Sequence, residues 1–542
     1  MAISETTLIE AGIEVGLVPA ELIQSLRLEA KRERLRLLEV ITRACRFPET
    51  ALYQAVANLR KIPFIQPAEL VADVATVELL HKAARQQRPM LPIIGQNGEN
   101  ILVLSDPDDR ISLERAERAT GLRFELALSD PLALQTAINR LAAKTKGTLS
   151  PGSKTEDADP VELLNEIMKE VYLRQASDVH FEPFEDGMRI RLRVDGQMQE
   201  YPKALNKAEE EGLMNRVKVL ASLDIAEHRM AQDGAMKYGI LNWNIPEVDI
   251  RVATIPTRWG ERGTMRILGE DTGLLSLEEL GMPEKMLVEF RDAISRPHGI
   301  ILVTGPTGSG KSTTLYGAIR ELKIDQVNVL TVEDPVEQTI EGISQVQVSG
   351  KVSFAQALRS FLRHDPDVIL VGEIRDQETV EIGLRSAMTG HLVLSTLHTN
   401  DSIGAISRLV DIGAERFLIG STLAGVLAQR LTRKLCSHCR KKRLATAKEL
   451  RLLGKTEGQE LEICEPVGCS FCLGSGFKGR IGIFEAFWVT KELTRAISEG
   501  LSEGKIRELA AGMTTLWMDA TEKVIRGDVC LSEVYHLRPE DT

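Results

Sequence analysis

Short apolar runs divide the chain from about residue 296 to residue 430 into alternating strands and helices. Runs such as Ile300–Val303, Val329–Val332 and Val368–Val371 are bounded by polar or turn-forming residues. This pattern is typical of strands that are buried on both faces. A further apolar run begins at Leu392. The alternation predicts an α/β domain with a parallel core sheet.

The first 160 residues predict two small regions and a linker. Residues 1–65 have the pattern of short helices, with a weak repeat offset by 29 residues in which Pro19 and Pro48 each open a helix. Residues 66–145 predict a small α/β domain. Residues 146–160 are polar and contain glycine, proline and serine, which predicts a linker.

Residues 161–285 predict a second α/β domain, which carries arginine-bearing strands. Residues 188–194 alternate arginine with apolar residues and then meet Asp195 and Gly196, a strong hairpin signal. Strict alternation places these arginines on one face of the strand. Four arginines of this domain are candidates for contact with a phosphate group: Arg191, Arg193, Arg251 and Arg266. The alternative is a solvated strand face on which the arginines pair with acids.

Length and composition limit the possible functions. At 542 residues, the chain predicts about three or four domains rather than one core. A net charge of −11 argues against general nucleic-acid binding. No apolar run approaches the roughly 18 residues that cross a membrane, and the N-terminus lacks the regions of a signal peptide. We therefore expect a cytoplasmic protein that reaches a membrane only through partners.

A glycine-rich loop follows the first apolar run and fits the phosphate-binding pattern G-x-x-x-x-G-K-[ST]. It consists of Gly305, Pro306, Thr307, Gly308, Ser309, Gly310, Lys311, Ser312 and Thr313. A strand before the loop and a helix after it are the context that this pattern requires. Glycines let backbone N–H groups face a phosphate chain, Lys311 adds a cation, and the Ser312 hydroxyl can hold Mg²⁺. The loop predicts binding of a nucleoside triphosphate, namely ATP.

Acids and histidines follow the later strands. Glu333 ends the second strand, Glu373 follows the third, and the fourth strand carries His391 and His398. The carboxyl edge of an open parallel sheet is where such folds bind their ligand. Each residue alone could be an ordinary strand-end acid or a structural histidine, and it is the ordered set that indicates a ligand site.

Four cysteines form two C-x-x-C pairs separated by 29 residues: Cys436, Cys439, Cys469 and Cys472. Two such pairs are a strong zinc pattern, because each pair supplies one edge of a tetrahedron of ligands. Since no water-activating ligand is evident, the predicted zinc is structural. The alternative is four free reduced thiols.

The ordered set of motifs resembles the bacterial type II secretion and type IV pilus assembly ATPases, the GspE/PilB type. In that family the four motifs are called Walker A, Asp box, Walker B and His box. Here they correspond to Gly305–Thr313, Leu330–Glu337, Asp367–Asp376 and Gly390–Asp401. Gly372 stands where the Walker B strand often has an aspartate.

The resemblance implies a multidomain α/β fold. It comprises a helical N-terminal docking region, a small α/β domain, a PAS-like α/β domain and a RecA-like P-loop domain. The P-loop domain would cover residues 286–542, with the zinc-binding insertion at residues 430–480 and a helical C-terminus. By motif, Glu333 would activate water, Glu373 would be the acid on the Mg²⁺ side, and His391 and His398 would steady the phosphates. The arginines would stabilise charge in the transition state.

The resemblance also implies a homohexamer that hydrolyses ATP to drive assembly of a pilus or secretion pseudopilus at the inner membrane. Its partners would be the platform and linker proteins of that machine, with no direct contact with nucleic acid. Alternatives are a retraction motor or a DNA-uptake motor of the same superfamily. An alternative from another class is a nucleotide-binding scaffold without turnover. The sequence does not distinguish a type IV pilus from a type II secretion pseudopilus.

The N-terminal repeat bears on a second ligand. Some pilus motors begin with tandem helical repeats that bind cyclic di-GMP, each opening Arg-Leu-Gly. Here Leu38 follows Arg36 and Leu37 where that glycine is expected, and the first repeat has residues 5–7, Glu-Thr-Thr, at the same place. We therefore expect these helices to dock onto a membrane partner rather than to bind cyclic di-GMP.

Overall fold

The computed structural model divides the chain into two compact units. The first contains Met1–Glu270, Cys436–Arg440 and Val467–Lys478, and the second contains the remaining segments. The structure describes residues 3–73, 76, 89–95, 98–145, 159–185, 187–203, 205–243, 245–268, 275–322, 324–456 and 458–539.

Four helices in two tandem pairs open the first unit: α1 (Glu5–Glu14), α2 (Ile23–Glu33), α3 (Leu37–Cys45) and α4 (Thr50–Arg60). Helix α1 begins where the Ser4 hydroxyl accepts a hydrogen bond from the backbone N–H of Thr7. The later helix of each pair follows Pro19 or Pro48, the two prolines of the sequence repeat. Buried apolar side chains from all four helices form one core.

A small three-stranded α/β domain follows. Its elements are β1 (Met90–Ile94), β2 (Asn100–Leu104), α5 (Arg110–Thr120), β3 (Glu125–Leu128) and α6 (Pro131–Thr145). Strand β2 pairs antiparallel with β1 and parallel with β3. Of the predicted linker at 146–160, residues 146–158 lie outside the described residues.

An antiparallel six-stranded sheet completes this part of the chain. Its elements are α7 (Pro160–Arg174), β4 (Asp178–Phe184), β5 (Gly187–Val194), β6 (Gln197–Glu200), α8 (Lys207–Leu220), β7 (Gln232–Ile240), β8 (Ile245–Thr257) and β9 (Gly260–Leu268). The strand order is β6-β5-β4-β9-β8-β7. Alternate residues such as Phe181, Ile190 and Met265 are buried with the apolar faces of the two helices. Asp195 and Gly196 both have positive φ and form the predicted hairpin turn between β5 and β6.

A seven-stranded sheet organises the second unit. The unit's strands are β10 (Gly299–Thr304), β11 (Val329–Glu333), β12 (Ser344–Gln347), β13 (Val368–Val371), β14 (Leu392–Leu397), β15 (Leu423–Leu435), β16 (Lys441–Leu444), β17 (Glu462–Glu465) and β18 (Phe477–Trp488). The order of the large sheet is β12-β11-β13-β14-β10-β15-β18, whereas β16 and β17 pair with each other. From β12 to β15, neighbouring strands of the large sheet pair parallel.

Helices cover the sheet of the second unit. They are α9 (Glu284–Ile294), α10 (Lys311–Glu321), α11 (Phe354–Phe361), α12 (Gln377–Met388), α13 (Gly404–Ile412), α14 (Arg416–Thr422), α15 (Ala447–Leu452), α16 (Lys491–Ser498), α17 (Glu503–Leu509), α18 (Leu516–Arg526) and α19 (Leu531–Val534). Two buried clusters share the strands: one includes Val380 of α12, and the other includes Phe290 of α9. Because both faces are covered, every residue of the inner strands β10, β11, β13 and β14 is buried and most of them are apolar, as the sequence pattern predicted.

The multidomain α/β class is confirmed. No helix in the described part of the chain is long and apolar enough to span a bilayer. One placement differs from the expectation. The cysteine-bearing segments Cys436–Arg440 and Val467–Lys478 group with the first unit, not with the P-loop unit. They do so because Phe471 and Leu473 pack against the core of helices α1–α4.

Candidate nucleotide site and metal centre

The glycine-rich loop joins β10 to α10. Gly305, Gly308 and Gly310 have φ values of 152°, 77° and 85°, a region that side chains with a Cβ rarely adopt. A Cβ on Gly305 would also lie 2.4 Å from the carbonyl oxygen of Gln429. Helix α10 begins at Lys311, so its first N–H groups adjoin the loop. Backbone conformation therefore favours glycine at all three positions, and at Gly305 the lack of space for a Cβ requires it as well.

Lys311 supplies the cation of the loop. Its ammonium group donates hydrogen bonds of 3.0 Å to the carbonyl oxygens of Gly305 and Pro306. Burial lowers the pKa of Lys311, while the nearby Glu373 carboxylate opposes that shift. Ser312 and Thr313 follow in the first turn of the helix and are half-buried. The Lys311 ammonium group, the two hydroxyl groups and the N–H groups at the start of the helix together form a site that can bind an anion.

Glu373 and His398 lie near Lys311. The Glu373 carboxylate forms an ion pair with Arg375, and its Oε2 lies 3.7 Å from Nε2 of His398. Burial lowers the pKa of His398, and the positive charge of Lys311 lowers it further. His398 is therefore neutral near pH 7 and can accept or donate a hydrogen bond. The structure thus brings together a cation, an acid and a neutral imidazole.

Glu333 is held by three side-chain donors. Its Oε2 accepts a hydrogen bond from the Tyr316 hydroxyl, and its Oε1 accepts from Thr331 at 2.6 Å and from Gln345 at 3.2 Å. Glu333 is 5% exposed. Burial raises the pKa of Tyr316, and the Glu333 carboxylate raises it further, so the phenol remains a donor. The position of this carboxylate is therefore fixed by its neighbours rather than by solvent.

His391 lies at the other end of β14 from His398. It precedes the strand, and its Nδ1 lies 2.9 Å from the carbonyl oxygen of Ser386. Strands β14 and β10 are parallel, with Leu397 opposite Thr304 at the P-loop edge. Seven steps of about 3.3 Å along the strand separate the two histidines by roughly 23 Å. The structure therefore does not place His391 beside the P-loop of its own chain, in contrast to the expectation for both histidines.

Sequence reasoning missed several residues around the loop. Thr304 pairs with Ala428 of β15, so Gln429 and Arg430 lie directly beside Gly305. The Gln429 Oε1 atom accepts a 2.7 Å hydrogen bond from Thr314 of α10, and Arg430 donates at 2.6 Å to the carbonyl oxygen of Asn400. The sequence signal for Gln429 and Arg430 is another apolar run that ends in polar residues. Tyr316 carried no such signal, because a buried aromatic residue on a helix is usually part of a core.

The arginine-bearing sheet places six arginines on one face. Cross-strand pairing aligns Asp178 with both Arg193 and Arg266, and Arg251 lies opposite Arg266. Arg189, Arg191 and Arg262 lie an even number of residues from Arg193 or Arg266 along their strands, so they lie on the same face. The acids at the centre of this face are Asp178 and Glu182. Glu200, Asp233 and Asp249 lie on the same face further out, so acids accompany the six guanidinium groups across the sheet.

Glu182 is the partner of three of these arginines. Its oxygens lie within 3.2 Å of Arg189, Arg191 and Arg262. These ion pairs lower the pKa of Glu182 despite its burial, which acts in the opposite direction and is the largest effect. Most of the arginines are therefore occupied within the sheet, as the solvated-face alternative expected.

Asp178 and Arg251 complete the arginine face. Asp178 pairs with Arg193 at 3.6 Å and with Arg266 at 2.9 Å. Arg251 is exposed, and it forms neither a hydrogen bond nor an ion pair with any residue that the structure describes. Among the four candidate arginines, Arg251 is thus the one with an uncommitted guanidinium group.

The four cysteines of the two C-x-x-C pairs converge. Their Sγ atoms all lie within 4.8 Å of one another, with Cys436 and Cys469 at 3.9 Å and Cys439 and Cys472 at 3.8 Å. Backbone N–H groups point at the sulfurs: Gly468 donates to Cys439 at 3.3 Å, and Gly476 donates to Cys472 at 3.2 Å. Such donors stabilise thiolates. The arrangement fits a tetrahedral metal ion of the size and preferences of Zn²⁺.

A parallel sheet with a P-loop, flanking carboxylates and a cation defines a P-loop nucleoside-triphosphate-binding protein. Residues 153–536 match the family model "Type II/IV secretion system protein", and residues 60–148 match the "MshEN domain". The chain therefore belongs to the type II/IV secretion system protein family.

Two pilus assembly ATPases and a type II secretion protein are similar to most of the chain. "Type IV pilus assembly ATPase PilB" of Myxococcus xanthus is 34% identical over 554 residues, covering 96% of this chain and 97% of that protein. PilB of Thermus thermophilus is 37% identical over 526 residues, covering 92% of this chain and 58% of that longer protein. "Type II secretion system protein E" of Klebsiella pneumoniae is 45% identical over 439 residues, covering 80% of this chain and 85% of that protein.

Among solved structures, the Legionella pneumophila ATPase DotB is similar in fold. Its TM-score is 0.53 at 22% identity, covering 72% of this chain and 98% of that chain. At that identity the likeness concerns the fold alone. Together, the family match and the relatives confirm the predicted secretion and pilus assembly ATPase family and the predicted class of enzyme, an ATPase.

Proposed function

We propose that this chain hydrolyses ATP as one subunit of a homohexamer and that hydrolysis drives assembly of a type IV pilus or type II secretion pseudopilus at the inner membrane. The observation that carries the proposal is the grouping of Lys311, Glu373 and His398 beside the P-loop, with Glu333 fixed at the end of β11. A scaffold that only binds nucleotide has no need for both carboxylates at this edge.

The residues of the site divide the work. The N–H groups of Gly305–Thr313 and the Lys311 ammonium would bind the phosphates of ATP. Glu333 would orient the attacking water and accept its proton, and the donors Tyr316, Thr331 and Gln345 would keep its carboxylate in one position. His398 would contribute a neutral hydrogen-bonding group near the terminal phosphate.

Two metals fit the residues present. The Ser312 hydroxyl and the Glu373 carboxylate would hold Mg²⁺, which when bound neutralises charge on the phosphates. Cys436, Cys439, Cys469 and Cys472 would hold one structural Zn²⁺ with all four positions filled. Filling all four positions leaves no room for water, so the zinc would take no part in hydrolysis.

The arginines support a ring in which a separate domain completes the site. Arg251 has the uncommitted guanidinium group, whereas Arg191, Arg193 and Arg266 are paired with acids. An arginine that reaches the terminal phosphate only on closure would couple hydrolysis to movement. In a ring, closing one such interface strains the next, so the subunits would hydrolyse ATP one after another.

The remaining expectations concern location and partners. The protein would work in the cytoplasm and would reach the inner membrane through the platform and linker proteins of its machine. It would contact no nucleic acid. The N-terminal helices would dock onto such a partner, and absence of cyclic di-GMP binding by these helices stays a prediction.

Turnover against protein concentration tests the proposal. Phosphate release per chain should rise as hexamers form, with sedimentation velocity run on the same samples. A monomer with full activity would contradict the ring. Nucleotide binding without steady-state phosphate release would instead favour the scaffold.

A further inference from the structure

Two cysteine-bearing segments, together named the knuckle, pack with the N-terminal helices. They are Cys436–Arg440 and Val467–Lys478. Phe471 and Leu473 join the apolar core that helices α1–α4 form. The Phe471 ring stacks on His438 with ring centres 3.7 Å apart and planes at 5°. A Cβ placed on Gly16, just after α1, would lie 3.9 Å from the same ring. The contact is therefore apolar and close.

Polar contacts surround this apolar centre. The Gln66 side chain donates a 3.0 Å hydrogen bond to the carbonyl oxygen of Leu473. Gln54 of α4 is 5% exposed, and a Cβ on Gly474 would lie 3.1 Å from its Nε2 and 2.4 Å from that of Gln66. Leu473 and Gly474 both have positive φ, at 50° and 80°. The fit thus depends on one particular conformation of this turn.

The turn that meets the helices also carries the ligands. Phe471 lies between Cys469 and Cys472 in a single short 3₁₀ turn, and Leu473 follows directly. A turn of this length has little stability of its own. A metal ion bound by four thiolates would fix both ends of the turn and hence the positions of Phe471 and Leu473.

We propose that the knuckle is a metal-dependent docking surface whose occupant is the N-terminal helical region of the same chain. The metal then serves attachment of helices α1–α4 rather than folding of the P-loop sheet. This rests on the zinc site proposed above. The cysteines continue from β15 and precede β18, so the surface is covalently part of the ATPase chain segment. Loss of the metal would release the helices while the P-loop remained competent.

Hydrogen-exchange mass spectrometry on the full-length protein tests the proposal. The protein would be measured as purified with zinc, after exhaustive chelation, and after zinc is restored. We expect amides of α4 to exchange at least about tenfold faster after chelation and to recover with zinc. Amides of α18 in the P-loop unit should not change.

A pair of variants separates docking from metal binding. Phe471→Ser should keep about one zinc per chain, measured independently, yet should accelerate exchange in α4 as chelation does. Val467→Ser is the matched control, because Val467 lies on the same knuckle but is 61% exposed, and it should behave like the parent protein.

Three results would overturn the inference. In the first, α4 exchanges equally in all samples. In the second, chelation accelerates α18 while α4 stays protected, which would assign the metal to the ATPase fold. In the third, the parent protein contains no metal, which would remove the zinc site itself without affecting the evidence for ATP hydrolysis.

Discussion

The P-loop edge and the arginine face use opposite ways of gathering charge. At the P-loop edge, parallel strands end together, so residues such as Lys311, Glu373 and His398 come from separate strands and loops. On the arginine face, charges follow every second residue of antiparallel strands and pair across them. The ends of parallel strands leave space for a ligand, whereas most charged side chains on the paired sheet face form ion pairs with one another. Among the arginines of that face, Arg251 forms no ion pair or hydrogen bond with any described residue, so its guanidinium group can meet a partner.

The largest effect should come from the edge. Lys311→Ala should abolish measurable ATP binding, because it removes the cation that faces the phosphates. Lys351→Ala, which removes an exposed lysine of the same unit, should leave binding unchanged. Fluorescent-nucleotide titration checks both variants. Near-normal binding by Lys311→Ala would show that the backbone and helix terminus suffice.

The next effect should separate the members of the arginine face. Arg251→Ala should lower kcat by about 10³-fold with little change in nucleotide affinity, since charge stabilisation matters most in the transition state. Arg191→Ala, Arg193→Ala and Arg266→Ala should cost less, because these arginines are already paired. Steady-state kinetics ranks these variants by kcat, with Arg189→Ala as a control. Equal losses for all five variants would indicate a general effect of the face instead.

Glu333→Gln should keep ATP binding and lower hydrolysis by roughly 10²–10⁴-fold, the usual contribution of a general base. The amide keeps the shape of the side chain but cannot take a proton. Glu337→Gln is the comparison, since that acid lies nearby in the same motif. If Glu333→Gln turns over at the parental rate, the base must be sought at Glu337 or Glu373.

The smallest effect should come from Tyr316→Phe. It removes one donor to Glu333 and should lower kcat by about tenfold, while the nucleotide Kd stays within a factor of about two. Tyr238→Phe removes a phenol that donates to Asn165 in the other unit and serves as the matched control. Equal changes in kcat and Kd would assign Tyr316 to packing alone.

Much of this architecture was predictable from the sequence. Uniform apolar runs predicted the parallel strands, and the motif order predicted which strand ends carry Lys311, Glu333 and Glu373. The alternation in β5 predicted the shared face of its arginines. These features depend on local periodicity and on short motifs, which a single sequence records.

Other features could not be predicted because they depend on distant parts of the chain. The placement of His391 follows from where β14 begins, a boundary that the apolar pattern does not fix. The hydrogen bond from Tyr316 to Glu333 joins a helix to a strand in the folded core. The contact of Phe471 with the N-terminal helices brings together segments more than 400 residues apart in sequence. No local pattern encodes which of those partners a side chain will meet.

The grouping of three arginines around Glu182 makes the domain unequally tolerant of change. Loss of Arg189, Arg191 or Arg262 leaves the acid with two remaining partners. Loss of Glu182, which is 4% exposed, leaves three cations crowded against one another with no counter-charge at their centre. Variation among descendants of this sequence should therefore be freer at each arginine than at the single acid, although the arginines carry the more conspicuous charge.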